Sequence, residues 1–131
     1  MIVADASAIL EILLHTKAAS ALRDRILGSD ESLHAPELLD LEVLQVIRRY
    51  LQTRDIALPR AEEALRDLAD LRLERYPHGI LLRRIWQLRQ NFTSYDAAYV
   101  SLAELLDATL ITTDARLAAS ARKLVEVELF R

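Results

Sequence analysis

The chain contains no cysteine, which excludes disulfides, thiolate chemistry and cysteine-type zinc sites together. Its 131 residues include only two glycines and three prolines. A fold of many short strands joined by tight turns needs more of both, so an all-β architecture is excluded. No window approaches the ~18 unbroken apolar residues of a membrane span. The first residues do not form a secretion signal, because no basic segment leads them and Asp5, Glu11 and His15 interrupt the apolar run. The expectation is a soluble, cytoplasmic protein with no membrane partner. Excess positive charge is also missing. The formal net charge is −3, whereas generic nucleic-acid binders are basic. If nucleic acid is handled, local basic patches or a metal that reverses the sign of an acidic pocket must draw it in.

What is present is a folded, helix-rich composition: 52% hydrophobic and 28% charged residues rule out global disorder and suit a single domain over residues 1–131. Met1–Ala4 reads as a short strand, apolar on both faces, that ends in Asp5. Thr109–Thr113 has the same design and ends in Asp114. Between them, helices are expected over Ala6–Leu14, Lys17–Leu27 with Gly28 as its stop, Pro36 to about Thr53, Arg60–Leu71, Ile80–Gln90 after a break at Gly79, and from a cap at Thr93 or Ser94 to Leu106. A further short helix is expected over Ala115–Ala121. Leu33–Ala35 and Leu73–Pro77 are candidate strands, and Leu124–Phe130 alternates as an edge strand does. Strands alternating with helices predict an α/β fold, with a mainly parallel sheet between two helical layers.

Four acids stand out. Asp5, Asp96 and Asp114 fall where strand or loop passes into helix, and Glu42 lies on the long helix after Pro36. Each has an ordinary structural reading: an N-cap for Asp5 and Asp114, a favourable charge in a first helical turn for Asp96, an ion pair with Arg49 or a contact with Gln45 for Glu42. Those readings do not explain why three acids gather at the carboxyl edge of a parallel sheet, where such folds bind ligands. Clustered carboxylates without Cys or His suit a hard divalent cation, Mg²⁺ or Mn²⁺ rather than zinc. The reaction class this suggests is metal-assisted phosphodiester hydrolysis. Arginines are candidates for phosphate contacts. Among Arg48, Arg49, Arg83, Arg84, Arg89, Arg116, Arg122 and Lys123, the two singled out are Arg84, ahead of the Asp96 helix, and Arg116, just after Asp114. Trp86 is expected in the core, Tyr95 is a candidate base-stacking residue, and the histidines are expected to be structural, with His78 left open.

MIVADASAIL, the acid in LLDLEVLQVIRR, RRIWQLRQN, FTSYDAAYVSLAELL and LITTDARLA occur in that order over nearly the whole chain. They resemble the PIN-domain ribonucleases and, more narrowly, the VapC toxins of bacterial type II toxin–antitoxin systems. The resemblance implies a three-layer α/β/α fold and a Mg²⁺-dependent endoribonuclease with an acidic quartet at Asp5, Glu42, Asp96 and Asp114. The three aspartates would contact the metal directly or through water. Glu42 would contact it through water or help activate the nucleophile. The resemblance also implies supporting hydroxyls at Ser7 and Thr112, a homodimer, and a cognate VapB-type antitoxin. Some members carry one more Asn or Asp shortly after the last acid; here Arg116, Leu117 and Ala118 occupy that region.

Three other readings bear on the same residues. A non-catalytic PIN-like binding module is the alternative function, against which a complete quartet argues. A phosphoacceptor receiver wants an adjacent acid pair after its first strand and a late lysine, but Asp5 stands between Ala4 and Ala6, and no lysine occurs from Ala18 to Arg122. A flap nuclease adds DNA clamps for which this length leaves no room.

Overall fold

The computed structural model describes residues 1–131. Five strands, β1 (Ile2–Ala4), β2 (Leu33–Pro36), β3 (Leu73–Tyr76), β4 (Thr109–Thr112) and β5 (Val127–Leu129), form one sheet in the order β3-β2-β1-β4-β5. Every pairing is parallel. The three inner strands are short, mostly apolar and almost wholly buried, and the edge strands β3 and β5 are about half-buried, as expected for a sheet covered on both faces.

Seven helices cover it: α1 (Ala6–Leu14), α2 (Ala19–Ile26), α3 (Leu38–Gln52), α4 (Leu58–Asp70), α5 (Leu82–Gln87), α6 (Ser94–Leu106) and α7 (Ala115–Ala121). They divide by what they touch. α1 packs with α2, α3 and α4, while α6 packs with α5 and lies along β1, β2 and β4. A single hydrophobic cluster of 33 buried residues joins the layers. This is the expected three-layer α/β/α arrangement. No helix is long and apolar enough to cross a membrane.

The scarcity of glycine shows at the helix ends. His15 ends α1 and Asp107 ends α6, each in the left-handed region at φ 55 and φ 50, positions that glycine usually fills. Gly28 serves differently. A Cβ there would lie 2.6 Å from the Asp24 carbonyl oxygen, so only glycine lets the chain fold back over the end of α2.

Two expected boundaries moved. Pro36 does not open α3; it is the last residue of β2, in register with Tyr76. The next amide, Glu37 N–H, bonds the Tyr76 carbonyl at 2.9 Å, so by strand alternation Pro36's missing N–H faces the other side. There β1 pairs only as far as His34, and no ladder bond is lost. The helix expected over Ile80–Gln90 is broken: His78–Leu81 is a 3-10 turn containing Gly79, and α5 is short. Its inward stripe is Leu81, Ile85 and Leu88. Trp86 lies off that stripe and is 68% exposed, against the expectation of core packing.

The sheet order fixes where a site can form. From β1 the chain moves outward to β2 and β3, then returns to place β4 on β1's other side. The β1/β4 boundary is therefore the topological switch point, and the crevice beyond its carboxyl ends is the natural binding position. Ala4 pairs with Ile111 there, so Asp5 and Thr112 emerge side by side.

Candidate active site

Asp5 is 5% exposed, and both of its carboxylate oxygens accept hydrogen bonds. Its Oδ1 accepts from the Ser7 hydroxyl at 2.6 Å and from Ala8 N–H at 3.1 Å, and its Oδ2 accepts from the Thr112 hydroxyl at 2.6 Å. The N-cap reading is therefore correct as local structure, and it also fixes the carboxylate's direction. Ser7 Oγ in turn accepts from Thr113 N–H at 3.0 Å, and Thr112 Oγ1 accepts from Asp114 N–H at 2.9 Å. Both hydroxyl protons are committed to Asp5. The two side chains thus stitch the β1–α1 turn to the β4–α7 turn around one carboxylate.

Asp114 is exposed and caps α7, its Oδ1 accepting from Arg116 N–H at 2.9 Å and Leu117 N–H at 3.2 Å. Asp96 sits in the first turn of α6, where Thr93 is the cap, its hydroxyl oxygen accepting from Asp96 N–H at 3.1 Å. Glu42 pairs with neither Arg49 nor Gln45. The Tyr99 hydroxyl donates to its Oε1 at 2.6 Å, so α6 reaches across to hold an acid carried by α3. Tyr99 is 2% exposed, and burial together with Glu42 pushes its hydroxyl far above the ordinary range, which keeps it a donor. Sequence reading missed Tyr99 as a partner, although its place one turn after Asp96 on a small-residue helix was the available signal.

The electrostatics tie the four acids together. Burial pushes Asp5 up from the usual carboxylate range by more than its hydrogen bonds pull it down, and the charge of Asp114 adds to the rise. Glu42 is raised by burial first, then by Asp5 and Asp96, against the Tyr99 bond. Asp96 is raised by burial and by Asp114, while Arg116 and Thr93 act the other way. None of the four takes part in an ion pair. A group of mutually repelling, partly desolvated carboxylates without a cationic partner fits a hard divalent cation in its donor chemistry. As the side chains stand, no three are drawn together tightly enough to hold an ion. Glu42 is turned to the Tyr99 hydroxyl and Asp114 to the α7 amides instead.

Asp96 and Asp114 open into a groove of about 510 Å³ that Arg89 and Arg116 also line. Arg84 is not part of it. Its guanidinium is clasped by Glu104 at 2.7 and 3.0 Å, toward the far end of α6. A larger hollow of about 1150 Å³ lies at the opposite edge of the sheet, near the starts of β4 and β5. It mixes acids and bases and contains none of the four site acids, so size does not mark the site here.

The histidines play no part in the cluster. His15 ends α1. His34 is buried between the Ser32 and Tyr76 hydroxyls at 2.7 Å each. His78 accepts from Leu38 N–H at 3.1 Å through Nε2 and so caps α3, the role that its sequence position left open. Tyr95 is 65% exposed.

Comparisons with known proteins bear on the fold and the family. The PIN domain family model matches residues 2–123. Ribonuclease VapC1 of Mycobacterium tuberculosis is 43% identical over 130 residues, covering 98% of this chain and 97% of that one. Ribonuclease VapC12 of the same organism is 40% identical over 129 residues, covering 98% of each. Among solved structures, VapBC2 from Rickettsia felis, bound to a DNA fragment from its promoter, superposes with a TM-score of 0.70 at 14% identity over the full length of both chains. PAE2754 from Pyrobaculum aerophilum superposes at 0.65 with 22% identity, covering 95% of this chain and 89% of that one; at such identities the likeness is one of fold. With a family model over most of its length and relatives at 40–43% identity nearly end to end, this chain belongs to the PIN domain family, among the VapC ribonucleases.

Proposed function

We propose that this chain is an endoribonuclease, the toxin of a VapBC-type pair, which hydrolyses RNA phosphodiester bonds at a divalent-metal site formed by Asp5, Glu42, Asp96 and Asp114. The observation that carries the reading is the locked Asp5 at the β1/β4 switch point, beside three further acids, none of them in an ion pair. Asp5 is the fixed ligand, its direction set by Ser7 and Thr112. Asp96 and Asp114 complete the metal-binding face toward the groove. Glu42, held by Tyr99, is the acid placed to orient an attacking water. A Mg²⁺ or Mn²⁺ ion bound there would offset the mutual repulsion, polarise a phosphoryl oxygen and acidify water.

The same reading supplies the partners. RNA is the substrate, and a VapB-type antitoxin is the inhibitor. The chain would act in the cytoplasm as a homodimer of one-domain subunits. The competing reading, a non-catalytic binding module, draws on the splayed arrangement of the carboxylates. Incubating purified, antitoxin-free protein with total cellular RNA separates the two. Cleavage at discrete sites with Mg²⁺ that stops with EDTA and with Asp96→Asn supports the ribonuclease. Absence of cleavage by folded protein supports the module.

A further inference from the structure

An acidic protein with an acidic site repels its polyanionic substrate, so something local must hold the RNA. Several arginines are already occupied by acids: Arg25 by Glu31 and Glu128, Arg60 by Glu63, Arg75 by Asp40, Arg84 by Glu104. Arg89 and Arg116 have no acidic partner in an ion pair, both are exposed, and both line the groove that holds Asp96 and Asp114. Arg116 is close enough to Asp96 for its charge to favour that carboxylate's ionised form.

Arg89 is held in a distinctive way. Its guanidinium carbon lies 4.6 Å from the centre of the Trp86 ring, and Nη1 donates to the Trp86 carbonyl at 3.0 Å. A cation over an indole face is oriented without being neutralised, and its other N–H groups stay free for an anion. This gives Trp86, a large exposed aromatic with no place in the core, a role as a platform. Guanidinium groups bind phosphates through paired hydrogen bonds. A groove of about 510 Å³ is of the size that takes a small ligand, which suits a strand threaded singly rather than a duplex.

We propose that Arg89 and Arg116 form a clamp for the phosphates of single-stranded RNA beside Asp96 and Asp114, with Trp86 as the platform that orients Arg89. The clamp rests on the ribonuclease reading, and its test separates the two. A labelled single-stranded RNA oligonucleotide is titrated with the full chain in EDTA, reading fluorescence anisotropy over a range of salt. Its cleavage is then followed with Mg²⁺. Arg89→Ala and Arg116→Ala are expected each to weaken metal-free binding about three- to tenfold and to flatten the salt dependence by roughly 0.7 in log–log slope, the effect of one lost single-strand phosphate contact. With Mg²⁺, KM rises while kcat stays within about threefold, the signature of a binding contact. Trp86→Leu behaves as Arg89→Ala does, and Arg84→Ala matches the unsubstituted protein. Asp96→Asn binds at least as tightly and does not cleave. Wild-type affinity and slope in both arginine variants overturn the clamp even if cleavage is intact. Binding without cleavage by the unsubstituted protein overturns the ribonuclease reading instead and leaves the clamp to be judged on the slopes.

Discussion

At the scale of single residues, the site is defined by which atoms have spare capacity. Thr112 donates to Asp5 and accepts from Asp114 N–H. Thr112→Val keeps the shape but strands both partners, at a cost of roughly 1–3 kcal/mol in urea unfolding, together with a fall in Mg²⁺-dependent cleavage. Thr112→Ser restores most of both. Asp96→Asn is expected to abolish cleavage while changing stability in EDTA by only about 1 kcal/mol, because lost helix-terminus stabilisation is offset by relief of repulsion. That offset depends on pH. The Asp96 carboxyl is raised above its ordinary 3.8 in the fold, so the folded chain holds this proton more tightly. The associated stability is complete below 3.8 and is lost as pH rises through the raised value. The Tm of Asp96→Asn relative to the unsubstituted protein, read in EDTA, should therefore climb as pH rises from about 4 through the raised value and then level off. The four acids stood out in the sequence by type, and Asp5, Asp96 and Asp114 also by their positions at element boundaries, while the quartet as a set and the supporting hydroxyls of Ser7 and Thr112 came from the family resemblance. Tyr99 and the Arg89–Trp86 pair were not legible there. Their roles depend on which side of a helix faces the site, and for α5 the Leu81, Ile85, Leu88 stripe was the clue that placed Trp86 outside.

At the scale of elements, the placement of α3 decides where Glu42 stands. Its start is fastened to β3 and the turn beyond by four bonds: Glu37 N–H to the Tyr76 carbonyl at 2.9 Å, the two of Arg75 forked onto Asp40 at 2.7 and 3.0 Å, and Leu38 N–H to His78. The helix has no side-chain cap of its own, so His78 satisfies an amide that would otherwise lack a partner. His78→Ala is expected to cost about 0.5–1.5 kcal/mol in urea unfolding and to slow cleavage by loosening Glu42, with metal-free RNA binding unchanged. Arg75→Ala, at a partly exposed pair, should cost less, about 0.2–1 kcal/mol. Most element types were readable from apolar periodicity, and the boundaries that failed did so for physical reasons. Pro36 was read by its preference for a helix start, but the needs of the ladder prevailed. The break at His78–Leu81 followed tertiary packing that a single helical stripe does not encode.

For the whole molecule, the uncompensated acids make stability a function of the ion. In the reading proposed above, Mg²⁺ should raise the Tm with a logarithmic dependence on concentration. The rise should be larger near neutral pH than near the ordinary carboxylate range at about pH 4, because protons compete there for the carboxyls that burial has pushed up; scanning fluorimetry at both values checks this. The stitch between β1 and β4 has one more consequence, which concerns time. Asp5 and Thr112 are 107 positions apart, and β1 pairs with β4 only once that late segment exists. At a synthesis rate of ~5–20 residues per second, an emerging chain carries its first acid for roughly 5–20 s without the Thr112 hydroxyl that completes its hold. A ribonuclease of the kind proposed, built in this order, would lack a complete set of acids until Asp114, close to the end of its chain, has been made.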